Sequence, residues 1–207
     1  MGSNGGTAAF VPEPTAFGEK TEAVANALIL HGKPGRPEFY DATVPSPSNH
    51  HWLPWLAKQL IVRDIPAHTP EMPLAFAPDY PAWRRELERY DISPRTLFAA
   101  HSCGAGFLLR WLTENPDVSV GRVVLVAPWL DPTGRLAPGF FDFTLDRHVA
   151  SRTAGLTVFH SDDDFDDIQV SVRTIRDSVA DLRYREFHGY GHFARTTFPE
   201  LLTALVD

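Results

Sequence analysis

Three residue types that cooperate in nucleophilic catalysis follow one another along this chain. They are Ser102, a run of aspartates at 162, 163, 164, 166 and 167, and His192 between Gly191 and Phe193. A serine hydroxyl is a poor nucleophile until a positioned imidazole takes its proton. The imidazole in turn needs a buried carboxylate to fix its tautomer and stabilise its cation. Ser102 sits in Ala100-His101-Ser102-Cys103-Gly104, a G-x-S-x-G pattern with alanine at its first position. Small residues two before and two after the serine suit a strand-to-helix turn too tight for larger side chains. Gly106 then gives the following helix room to pack closely.

The elements that must position these groups can be read from periodicity and punctuation. Residues 25–31 (Ala-Asn-Ala-Leu-Ile-Leu-His) form an apolar run closed by Gly32-Lys33-Pro34-Gly35, which predicts a buried parallel strand. Residues 96–100 predict the strand before the serine, 121–127 a β-branched strand, 156–160 another, and 182–187 a short last one. Residues 61–68 predict an edge strand because of Pro66. Helices are predicted over 51–60, from Asp79 with Pro81 in the first turn, after Ser102, over 170–179 and over 199–206. Residues 128–154 lose periodicity, and a loop of that length in a compact domain is usually functional. Strands alternating with helices imply a mostly parallel sheet of about six strands covered on both faces, in one α/β domain over 25–207 behind a flexible leader at 1–24. Ligands bind at the carboxyl ends of such strands. Ser102, the aspartates and His192 each follow a strand there, in the chain order Ser, Asp, His expected of α/β-hydrolases.

An oxyanion formed during acyl transfer needs backbone N–H donors aimed at it. One donor is expected from Cys103, the residue after the serine. The other comes from the loop after the first strand, where Lys33 has an N–H and Pro34 does not. Trp129, Phe140, Phe141 and Phe143 in the aperiodic loop are candidates for an acyl pocket. Several rival readings are weaker. Asp131 follows the 121–127 strand and could supply the acid, but Trp129 and Pro132 around it suggest loop packing. A calcium loop over Asp162, Asp164 and Asp166 lacks the turn glycine and the distal glutamate. His50 and His51 are adjacent and do not face one point on a helix. Cys103 is off the apex of the turn and reads as a small buried side chain.

A net charge of −7 in 207 residues argues against nucleic acid or an anionic membrane as partner. The single cysteine excludes an intrachain disulfide. No apolar run reaches membrane-spanning length and no basic-then-apolar N-terminus is seen, so the cytoplasm is the default location.

From about Ala25 onward the chain resembles the small serine hydrolases of the retinoblastoma-binding protein 9 / YdeN family within the α/β-hydrolase superfamily. The residues that carry the likeness are the elbow, the His160-Ser-Asp-Asp-Asp164 run, the His31-Gly32 turn, and Tyr190-Gly-His-Phe193 followed by Pro199-Glu-Leu-Leu. The resemblance implies a compact hydrolase with little cap and no cofactor, and the residues themselves point to no metal site. It makes Ser102 the nucleophile, His192 the base and Asp164 the acid, with Phe165-Asp166-Asp167 departing from the family pattern and keeping Asp163 in contention. The expected substrate is a small acyl ester cleaved through an acyl-enzyme. Amide or peptide cleavage, acyl transfer, or an inactive binding scaffold stay open as alternatives.

Overall fold

The computed structural model describes residues 24–136 and 138–207, so the expected leader falls outside the described residues apart from Val24. Six strands form one open, all-parallel sheet: β1 Asn26–Leu30, β2 Ala67–His68, β3 Thr96–His101, β4 Val123–Val126, β5 Leu156–Ser161 and β6 Arg183–Phe187, in the order β2-β1-β3-β4-β5-β6. The central strands are apolar on both sides because both are covered. Leu28, Ile29, Leu30 and all of β4 are fully buried, and each such aliphatic side chain contributes about 1.5–3 kcal/mol.

Among the described residues six α-helices flank the sheet: α1 Arg36–Tyr40, α2 Leu53–Ile61, α3 Tyr80–Leu87, α4 Ser102–Glu114, α5 Asp166–Ser178 and α6 Pro199–Val206. Helices α2 and α6 pack on each other and against the inner strands. On α3, Trp83 meets Phe107 of α4 edge to face at 5.4 Å. The chain moves one way from β1 to β2 and the other way from β3 to β6. Right-handed crossovers therefore send α2 to one face and α4 and α5 to the opposite one. The reversal lies between β1 and β3, where the loops after both strands open side by side. Register keeps the ends level, with Leu30 beside Ala100 and His101 beside Val126.

Two boundaries differ from the sequence reading. The strand expected over 61–68 shrinks to Ala67–His68. Leu60 is the last inward residue of α2, the exposed Ile61 and Val62 finish that helix, and Asp64 turns the chain with a left-handed φ of 59°. The helix expected from 170 starts at Asp166, with Asp166 and Asp167 in its first turn. Acids there complement the helix dipole, so two of the five aspartates are helix rather than solvated loop. Asp79 caps α3 as expected by accepting from the Ala82 amide at 2.9 Å, worth about 1 kcal/mol.

Candidate active site

Ser102 is the first residue of α4 and has φ 53°, a left-handed conformation that costs a non-glycine residue about 1–3 kcal/mol. Its neighbours over-determine that strain. The Trp129 amide donates to the Ser102 carbonyl at 3.1 Å. A Cβ on Gly104 would stand 2.2 Å from the His31 carbonyl oxygen, and one on Gly106 2.0 Å from that of Trp129. Gly106 therefore admits the β4 loop to the helix. Ala100 is fully buried between Leu30 and Leu125, and its methyl is accommodated within the sheet.

The amides of Cys103 and Lys33 donate to no described residue, and His101 provides no side-chain cap to α4. His31 fixes the second of these peptides. Its Nδ1 donates to the Gly32 carbonyl at 2.7 Å while its Nε2 accepts from the Met72 amide at 2.9 Å. The Gly32 carbonyl and the Lys33 N–H belong to one peptide plane, so the ring orients both. Burial lowers the His31 pKa, which favours the neutral ring that this pattern requires.

At the other edge, Ser161 lies beside Phe187, and the loops leaving β5 and β6 start together. Successive aspartates grip successive positions of the histidine loop. Asp162 accepts from the Gly189 amide at 3.1 Å and meets His188 Nδ1 at 2.8 Å. Asp163 accepts from the Gly191 amide at 2.8 Å and from the Ser161 hydroxyl at 2.6 Å. Asp164 meets His192, whose Nδ1 lies 2.9 and 3.1 Å from its two oxygens. The Asp164 side chain is 0% exposed and that of His192 is 24% exposed. A carboxylate on Nδ1 assigns the proton there and leaves Nε2 free to accept one. Hydrogen bonds hold the Asp162 and Asp163 carboxyls below their usual range, His188 being the leading cause for the first and Ser161 for the second. Asp131 spends its oxygens on the Arg135 and Leu136 amides of its own turn. Among the described residues no group of His, Cys, Asp or Glu could hold a metal.

Two cavities flank Ser102 and His192, and both residues line both. The larger, about 370 Å³, is walled by the loop after β1 and by polar groups including Glu38, His50, His51 and Glu71. The smaller, about 190 Å³, is lined by Trp129, Phe165 and Ile168 and by the charged Arg135 and Asp167. Lys33 belongs to both. The Ser102 hydroxyl makes no hydrogen bond to a described residue, an arrangement common before substrate tightens such contacts.

Of the four aromatic candidates, Trp129 lines one of these two cavities. Phe140 is buried against Trp83 and Phe141, Phe141 packs on Trp129, and Phe143 lies by Arg110. Arg110 also donates to the Phe140 carbonyl at 2.7 Å. The aromatic run thus anchors its loop to α3 and α4. His101 donates from Nε2 to the His192 carbonyl at 2.9 Å and also lines the larger cavity. Burial keeps its pKa well below the ordinary value and lowers that of His51 to about 4, so both rings are neutral at pH 7. The sequence reading missed Glu38, Glu71 and the His50–His51 pair as cavity walls. The loop after the first strand was the available pointer, though its Pro/Ser-rich composition hides which side chains face inward.

An all-parallel sheet in this order, with a left-handed serine after the third strand, defines an α/β-hydrolase. The serine hydrolase family model matches residues 45–195, and the chain belongs to that family. It is 26% identical to YdeN of Bacillus subtilis (strain 168) over 155 residues, which is 70% of this chain and 80% of YdeN. The crystal structure of the B. subtilis ydeN product superposes with a TM-score of 0.69 at 25% identity, covering 86% of this chain and 95% of that one. A pyrethroid hydrolase of Sphingobium faniae JZ-2 shares the fold at 12% identity, with a TM-score of 0.56 over 88% of this chain and 96% of that one. Among the described residues no helix is long and apolar enough to cross a membrane.

Proposed function

We propose that the protein hydrolyses small carboxylic esters through an acyl-enzyme on Ser102. The observation that carries the reading is the buried Asp164 carboxylate on His192 Nδ1, with that ring and Ser102 in the walls of the same two cavities. In the first half-reaction Ser102 Oγ attacks the ester carbonyl as His192 Nε2 takes its proton. The new oxyanion lies against the Cys103 and Lys33 amides, each such donor being worth about 3–4 kcal/mol to the transition state. Collapse expels the alcohol, to which His192 returns the proton. Water, deprotonated by the same nitrogen, then attacks the acyl-serine and releases the acid and free Ser102. Asp164 stays ionised throughout and stabilises the imidazolium.

The test is labelling with a fluorophosphonate probe beside a panel of acyl esters and the matching amides. Expected outcomes are a single adduct on Ser102, its loss in Ser102→Ala, and turnover of esters ahead of amides. Labelling that persists in Ser102→Ala refutes the nucleophile. Faster turnover of the amides moves the reaction to amide hydrolysis by the same groups.

A further inference from the structure

Phe165 is 68% exposed. A lone apolar side chain at a surface is ordinary, but three features set this one apart. It forms a wall of the cavity that holds Ser102 and His192. Its ring centroid is 5.3 Å from that of His192. Its backbone is held on both sides: the Phe165 amide donates to Asp164 Oδ1 at 2.7 Å, and its carbonyl accepts from the Ile168 and Gln169 amides at 2.9 and 3.0 Å. The ring therefore projects from a fixed point beside the reacting groups, and Trp129 and Ile168 continue the apolar wall.

We propose that the smaller cavity is a subsite for a compact apolar substituent of the substrate and that Phe165 determines its fit. The proposal rests on the reading of Ser102 as nucleophile. The larger cavity mixes Glu38 and Glu71 with Phe39, Val44 and Pro47, and Lys33 lines both. The smaller one offers an indole, a phenyl ring and an isoleucine, and seating an apolar group there removes both partners from water at about fourfold in affinity per methylene. Its size and its charges limit that group. The volume is about 190 Å³, and the lining includes an ion pair between Arg135 Nη2 and Asp167 Oδ2 at 3.0 Å. Covering that pair with a longer chain would strip water from both charges. A short alkyl chain or a single ring meets these limits.

The experiment measures kcat and KM for p-nitrophenyl esters from acetyl to hexanoyl and for acetates of alcohols from methyl to benzyl. Wild type, Phe165→Ala and Phe165→Leu are compared. Phe165→Ala is expected to raise KM about tenfold for the bulkier members of one series, with kcat within about twofold. Phe165→Leu recovers part of the loss, and the responding series tells whether the acyl or the alcohol group occupies the subsite. KM values that do not change, or a fall in kcat shared by every ester, overturn the proposal. The shared fall reads as a disturbed His192.

A second arm needs no turnover. In Ser102→Ala, saturation-transfer NMR with N-benzylacetamide is expected to mark the benzyl ring, and the signal is lost when Phe165→Ala is added. Equal transfer in both proteins overturns the subsite. If no ester is cleaved and no probe reacts while the benzyl signal still depends on Phe165, the catalytic reading fails and the subsite stands.

Discussion

At the turn between β3 and α4 the chain is held by what cannot fit. Backbone oxygens of His31 and Trp129 occupy the space where side chains on Gly104 and Gly106 would be, and Ser102 is left with one conformation. At the β5–β6 edge the chain is held by bonds that it makes. Asp162, Asp163 and Asp164 take hold of Gly189, Gly191 and His192 in turn, in a region where His188 and Asp162 stand in solvent. The first device is steric and indifferent to pH. The second is electrostatic and adjustable. The turn at Ser102 is thus set by steric fit, whereas the placement of His192 depends on charge.

Substitutions can break or sharpen that contrast. The largest effect is expected from Asp164→Asn, which removes the carboxylate from His192 Nδ1 and should lower kcat by about 10⁴ while leaving the fold intact. Ester kinetics beside circular dichroism check this, and an Asp163→Asn protein that is the more damaged of the two would reverse the assignment. Next is Gly104→Ala. Its Cβ meets backbone rather than a movable side chain, so stability should fall by about 3 kcal/mol, read as a shift in the urea midpoint. Steric damage should therefore appear in stability and electrostatic damage in rate.

Asp163→Ala comes third. Loss of the acceptor for the Gly191 amide and the Ser161 hydroxyl should loosen the histidine loop and lower kcat about tenfold. Asp163→Asn retains an acceptor oxygen and should recover most of that rate. The smallest effect is expected from His188→Gln. Asp162 raises the His188 pKa above 6.5, so that contribution is full below 6.5 and fades as pH rises through the folded value. His188 lowers the Asp162 pKa below 3.8, so its contribution is full above 3.8 and fades as pH falls. The difference in melting temperature between wild type and variant should therefore peak between those values and shrink in high salt.

The same contrast explains what could be read from the sequence. The elbow was legible because steric need writes itself into residue size: Ala100, Gly104 and Gly106 leave little choice. β1, β3, β4 and β5 were legible because two-sided burial demands unbroken apolar runs. The Ser, Asp, His order placed Ser102, the aspartates and His192 at the carboxyl edge of the sheet, yet residue type did not separate Asp163 from Asp164. That depends on which carboxylate the turn directs inward, a matter of backbone geometry between identical side chains. The cavities were least legible. Phe140, Phe141 and Phe143 pack on neighbours or sit beside Arg110, whereas among the walls of the larger cavity Glu38 lies on the short α1 and His51 and Glu71 lie in segments without periodicity.

The one cysteine adds a use for the steric turn. Cys103 is fully buried as the second residue of α4, and burial pushes its thiol pKa upward. Its sulfur can meet a disulfide reagent only when the strand–helix junction opens, so the rate of thiol modification in the folded protein is a clock for that opening. A ligand that binds only the closed junction should slow the clock by the factor that its binding shifts the opening equilibrium. Occupancy beside Ser102 would then be readable from the chemistry of its silent neighbour.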